Sequence, residues 1–308
     1  MFGYDVGRSH GRGLLGARLY SQADLPRMRE GGLTGAVMSV ATNPFRRRGR
    51  RVTVLQANVG RLVDGLARAG AAVVADLAGY RAARAAGRFA CFVAVQGGNA
   101  ADASSLPDVV SRVTLVHLTR SYLGSPSAPL GGRGGLTAQG RTFVEGLNER
   151  RVLVDVAHAS PPTFWDALAV HDRHLPPIVS HTGVAGVHPS WRNIDDDQVR
   201  AVADRGGVVG IMYHQGFLGG STSDAVLRHL EHVVRVGGED AAALGSDWDG
   251  LIVTPRDMPT ARELPVLVRG MLARGWSDAR VAKVLGGNYL RVLGQVRPGP
   301  PPVPSGAG

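Results

Sequence analysis

The feature that most constrains this chain is a series of short apolar runs, each stopping abruptly at a polar residue or a turn. They lie at 33–41, 89–96, 112–117, 151–158, 176–181, 207–214 and 241–247. Stretches such as "VLVDVAH" and "VVGIMYH" are continuously apolar rather than alternating. That pattern predicts strands buried on both faces, hence a parallel sheet covered by helices. Helical segments are expected between the runs at 61–87, 137–150, 162–172 and 195–207. Two more follow the last run, the second opening on Ser277 as N-cap. Four runs end on His158, His181, His214 and Asp247, spaced by roughly one strand–turn–helix unit of about 30 residues.

Such alternation over 308 residues predicts an α/β fold, a (β/α)8 barrel of the metal-dependent hydrolase type. Residues 1–296 form one domain in this reading, and "RPGPPPVPSGAG" at 297–308 is a disordered tail. The count gives seven strands rather than eight. "AAVVAD" at 71–76 is a further candidate, but it sits inside a helical pattern. The missing strand belongs before residue 33, and the Gly- and Arg-rich first 20 residues offer no good candidate. A barrel short of one strand would leave edges unpaired.

Composition narrows the function. No uninterrupted apolar run reaches membrane-spanning length, and the N-terminal stretch lacks a segment of signal-peptide type, so a cytoplasmic protein is expected, without a membrane partner. Cys91 is the single cysteine, which excludes an intramolecular disulfide and a cysteine-rich metal site; within "FACFVAV" it reads as a packing residue. Net charge is +10 and almost wholly arginine, Lys283 being the only lysine. The dense basic run "FRRRGRR" at 45–51 lacks aromatic interleaving or a recognition motif, so it reads as a solvated loop and no nucleic-acid partner is expected.

Side chains at the C-terminal ends of barrel strands converge on one mouth. Gln96, His117, His158, His181, His214 and Asp247 are placed there. One strand-end histidine is more often a hydrogen-bonded structural residue than a ligand. Two on adjacent strands, with a carboxylate completing the ring, have the composition of a catalytic site for zinc or a similar ion. Asp249 would face the other way in strand geometry. His229 and His232, three apart on a helix, read as packing residues. No G-x-S-x-G nucleophile motif occurs.

The stretches "ADLPRMREGGLTGAVMSV", "GLTAQGRTFVEGLNERRVLVDVAHAS", "PPIVSHTGVAGVHPSWRNIDDDQVRAVADRGGVVGIM" and "LGSDWDG…LGGNYLRV" resemble the membrane (renal) dipeptidase family, the M19 peptidases, in the same order from about residue 23 to 296. The resemblance implies a metal-dependent barrel that hydrolyses dipeptides or related small amides through a metal-activated water, with one or two zinc ions as cofactor. It implies a small peptide-like substrate as partner; a homodimer is a separate expectation, on which the sequence itself is silent. By position, His158 and His181 match the pair that binds the second zinc, and Gln96 stands where a glutamate bridging both ions is expected. His117 matches a substrate-contacting histidine, Arg192 the arginine that holds the substrate carboxylate, and Asp247 the acidic residue that handles the substrate amine and the proton. His214 matches no ligand of the family.

Two departures qualify the implied activity. The His-x-Asp pair that holds the first zinc occurs nowhere in residues 1–32, and His10, followed by Gly11 and Arg12, does not replace it. This motivates the expectation that the coding sequence begins upstream of the assigned Met1. Gln96 is neutral and cannot bridge two cations as an anion. The second expectation is accordingly a catalytically silent relative that binds a peptide-like ligand or a partner chain.

Overall fold

The structure, a computed structural model, describes residues 5–11, 21–41, 43 and 47–300. Helix α1 (Leu25–Glu30) leads into strand β1 (Gly35–Ala41), then α2 (Arg51–Arg68), β2 (Ala72–Val74) and α3 (Leu77–Ala85). The strand–helix rhythm continues through β3 (Ala90–Gln96), β4 (Val110–Thr114), α4 (Ala138–Glu149), β5 (Leu153–Asp155) and α5 (Pro161–Val170). It ends with β6 (Ile178–Thr182), α6 (Asp196–Ala203), β7 (Val208–Ile211), α7 (Gln215–Leu218), α8 (Ser223–Gly237) and β8 (Ala242–Leu244). Helices α9 (Pro265–Ala273), α10 (Asp278–Ala282) and α11 (Asn288–Val296) complete it.

Every strand pair is parallel, in the order β1-β3-β4-β5-β6-β7-β8. Among the described residues no strand joins β1 to β8. The seven strands on this path therefore form a curled sheet, a half-barrel of the (β/α)8 type, as the strand count anticipated. Residues 12–20, where part of the missing strand was sought, and residues 45, 46 and 301–308, from the basic run and the tail, lie outside the described set.

The helix expected over 61–87 is corrected. Helix α2 stops at Arg68, Gly70 takes a left-handed φ of +73°, and Asp76 caps α3 by accepting from the Gly79 amide at 2.7 Å. Between these two stop signals Ala72–Val74 pair with Ala90–Phe92 at the base of β3, and β4 takes over that edge from Val93 onward. The run at 71–76 is thus a strand, off the main path. Backbone bonding also continues past residue 296, where the carbonyls of Arg297 and Pro298 accept from the amides of Leu77 and Ala78 at 3.0 and 3.1 Å.

Strand parity sorts the interior. Val93, Val95, Val113, Val154, Val179 and Val209 pack outward under the helices. Phe92, Leu153, Ile178 and Val208 pack inward, against Val292, Leu293 and Val296 of α11, which fills one end of the sheet's hollow. Above this apolar floor the inward positions turn polar, with Arg112, Thr114 and Asp155 all buried. Cys91 is fully buried, and burial pushes its thiol up to about 12, so it is inert packing.

Two histidines outside the polar centre tie the fold to pH. His171 donates Nδ1–H to Asn148 Oδ1 at 2.7 Å. His229 accepts from the Val184 amide at 2.9 Å and donates to the Leu218 carbonyl at 3.2 Å, which makes it a packing residue as expected. Burial holds both down at about 4, from 6.5 in the free side chain. Each is uncharged when folded but takes a proton readily when unfolded. Their stability contribution is therefore complete above about pH 6.5 and is lost as pH falls toward 4. Each pH unit in that window costs at most about 1.4 kcal/mol per histidine. Urea midpoints measured from pH 7.5 down to 4.5 should fall steadily; a flat profile would show that neither ring stays neutral in the fold.

Candidate active site at the strand ends

Three backbone irregularities turn the polar side chains into the mouth. At the end of β5, Asp155 Oδ1 accepts from the Ala157 amide at 3.0 Å, a local turn that stops the strand. The next residue, His158, takes a left-handed φ of +63°. Parity would send His181 outward with Val179, but the β6–β7 register slips between Val179 and Thr182, and a slip of this kind re-aims a side chain. After β8, Asp247 is again left-handed, φ +58°. Non-glycine residues held in this region at a strand mouth mark a site where position outweighs local strain.

The result is a tight polar triangle. His158 Nε2 and His181 Nε2 lie 2.9 Å apart, and Gln96 Nε2 lies 3.2 Å from the first and 3.3 Å from the second. Both imidazoles are buried, at 7% and 5% exposure. Asp247 Oδ1 stands 3.9 Å from His181 Nε2, just outside the triangle. The His117 ring meets His158 edge to face with centroids 4.7 Å apart. Arg192 is buried behind them and donates from Nη2 to the His181 carbonyl at 2.6 Å.

Beneath the triangle, Ser180 Oγ lies 2.7 Å from His181 Nδ1 and 2.5 Å from Asp155 Oδ2, while His158 Nδ1 is buried with no partner. Burial is the largest cause holding His158 and His181 well below the usual imidazole range, followed by the Arg192 guanidinium. The same two causes hold His117 at about 4. Burial pushes Asp247 up to about 7 against the pull of Arg192 and Arg112. Three neutral rings thus offer lone pairs beside a carboxyl that titrates near neutrality, with the Arg192 guanidinium as the neighbouring charge.

The six residues singled out from the sequence as ligands, catalytic groups or carboxylate clamp thus lie close together at the strand ends. His214 caps α7, accepting from the Gly216 amide at 3.3 Å, and packs on Phe217. Asp249 is drawn away, accepting from the Gln22 amide at 2.9 Å. His10 sits by Asp5, its Nε2 2.5 Å from that carbonyl. The sequence reading passed over Asp155 and Ser180. The signal was a carboxylate inside the apolar run "VLVDVAH", where an ionisable group needs a dedicated partner.

The triangle can be tested against a metal. A tetrahedral ion with metal–nitrogen bonds of about 2.0–2.1 Å sets its ligands roughly 3.3–3.4 Å apart. The edges of 2.9, 3.2 and 3.3 Å approximate one face of such a tetrahedron, once a half-turn of the Gln96 amide brings its oxygen inward. A single cation fits this donor set, in which the neutral Gln96 amide supplies no anion to bridge a second.

Known proteins resemble this chain in sequence and in fold. The sequence matches the profile of the Membrane dipeptidase family (Peptidase family M19) over residues 15–298. It is 35% identical over 183 residues to an uncharacterized protein in the pqqA 5' region of Klebsiella pneumoniae; the match covers 57% of this chain, which spans 65% of that relative's length, under two thirds. The fold superposes on the crystal structure of a dipeptidase designated AC, a metallopeptidase of family M19, with TM-score 0.79, 25% identity and 90% of each chain covered. A metallopeptidase from Rhodobacter sphaeroides, liganded with a phosphinate mimic of the dipeptide L-Ala-D-Ala, gives TM-score 0.78 at 25% identity, covering 89% of this chain and 90% of that one. No helix among the described residues is long and apolar enough to cross a membrane.

Proposed function

The chain belongs to the membrane dipeptidase family, peptidase family M19, and on that premise we propose that it hydrolyses dipeptides or closely related small amides with one zinc ion held at His158, His181 and Gln96. The observation that carries the proposal is the triangle itself. Three lone-pair-bearing groups facing one another at 2.9–3.3 Å are satisfied together by a cation, whereas any assignment of protons leaves one contact mismatched. Bound there, the ion would supply Lewis acidity at neutral pH.

The protein's own groups supply the rest. Asp247, near-neutral in its buried setting, takes the proton from the water and passes it to the departing amine. His117, neutral and beside His158, donates to the oxyanion. Arg192 holds the substrate carboxylate with the part of its guanidinium not committed to the His181 carbonyl. The phosphinate dipeptide mimic in the Rhodobacter sphaeroides enzyme supports a dipeptide as the substrate class.

Neutral Gln96 favours a second reading, in which the chain binds a peptide-like ligand without turning it over. Zinc analysis of purified protein, with turnover of an L,L and L,D dipeptide panel, decides between them. Stoichiometric zinc with hydrolysis supports the first; ligand binding without either supports the second. Arg192 adds a finer test. Arg192→Lys should raise KM for a free-acid dipeptide about 10- to 100-fold with little change in kcat, and leave the C-terminally amidated dipeptide unaffected. Equal losses on both substrates would remove Arg192 from the carboxylate.

A further inference from the structure

We propose that Asp155 and Ser180 are positioning residues that lock His181 in the tautomer bearing its proton on Nδ1, so that Nε2 always presents a lone pair to the mouth. Asp155 is fully buried. Its carboxylate accepts from Thr114 Oγ at 2.5 Å, Ser180 Oγ at 2.5 Å, the Ser180 amide at 2.9 Å and the Ala157 amide at 3.0 Å. Arg112 Nε stands 3.8 Å from it, an ion pair without a hydrogen bond, so the carboxylate is held from β4 and β6, the strands on either side of β5.

This arrangement fixes proton directions along a line. A carboxylate accepts only, so the single hydroxyl proton of Ser180 points to Asp155. Ser180 Oγ then has only lone pairs for His181 Nδ1 at 2.7 Å, and the ring must donate there. Donation from Nδ1 leaves Nε2 unprotonated and aimed at His158 and Gln96. His158 has no comparable restraint, since its buried Nδ1 meets no hydrogen-bond partner among the described residues. The two rings are therefore unequal: one is set in advance to accept, and the other adapts. Outer partners of this kind typically contribute 10- to 100-fold to metal affinity.

The affinity consequence rests on the zinc site proposed above, but the tautomer does not. Long-range 1H–15N spectra of the metal-free, 15N-histidine-labelled full chain at pH 7.5 report it directly. His181 is expected as the Nδ1–H form. Ser180→Ala should release it to a mixture or to Nε2–H and weaken zinc binding 10- to 100-fold, Ser180→Thr should restore both, and Thr114→Val should leave the tautomer alone. Should Ser180→Ala fail to fold, the wild-type spectrum decides: Nε2–H at His181 overturns the proposal. So does a folded Ser180→Ala that keeps both the Nδ1–H form and a zinc Kd within threefold. A wild-type protein that binds no zinc yet shows the locked tautomer would defeat the functional proposal and leave this one standing.

Discussion

Replacing His181 with alanine is expected to eliminate zinc binding and to lower kcat/KM on a responsive dipeptide by about three orders of magnitude, equivalent to roughly 4 kcal/mol of transition-state stabilisation. The size follows from how little else holds the ion. Catalytic zinc ordinarily rests on three good protein ligands, and in the proposed site two imidazoles and a neutral amide would do that work. Removing one ring leaves His158 and the amide, which cannot compete with water. His171→Ala is the control: a histidine equally buried, at the far end of α5, whose loss should cost stability without touching the zinc content. Metal analysis and kinetics on both variants check this. If His181→Ala keeps stoichiometric zinc, the triangle is not the metal site.

Gln96→Glu should act in the opposite direction. The amide nitrogen lies 3.2–3.3 Å from both imidazole Nε2 atoms, so a carboxylate there would place a negative charge in contact with any cation between them. One well-placed anion in a partly desolvated site is worth a few kcal/mol, and zinc is expected to bind about 10- to 100-fold more tightly. Without metal the same change buries a charge among neutral rings, so the variant should melt below the wild type in chelator and at or above it in excess zinc. Thermal melts with and without zinc, beside a zinc titration, measure both halves. An unchanged zinc Kd would mean that residue 96 faces no cation, and the non-catalytic reading would gain accordingly.

Much of this architecture is legible because it depends on local chemistry. Continuous apolar runs cannot be solvent-facing strands, and their polar last residues mark the mouth; this places His158, His181 and Asp247 without coordinates. What escaped the sequence depends on geometry between strands. The register slip that turns His181 inward leaves no mark in "PPIVSH", where parity alone would pair it with outward Val179. The Ala-rich stretch around 71–76 suits a helix, and only Gly70 and Asp76 bracket it as a strand. Gln22 and Asp249 exchange hydrogen bonds at 2.9 Å although 227 positions separate them, a pairing no local pattern encodes. Ser180 looks like an ordinary strand serine until the neighbouring strand brings Asp155 beneath it.

The C-terminal helix has a further consequence. By seating Val292, Leu293 and Val296 against the inward Leu153, Ile178 and Val208, α11 seals one end of the hollow. That packing closes the base of the hollow with apolar side chains and leaves the buried polar groups to the strand-end side.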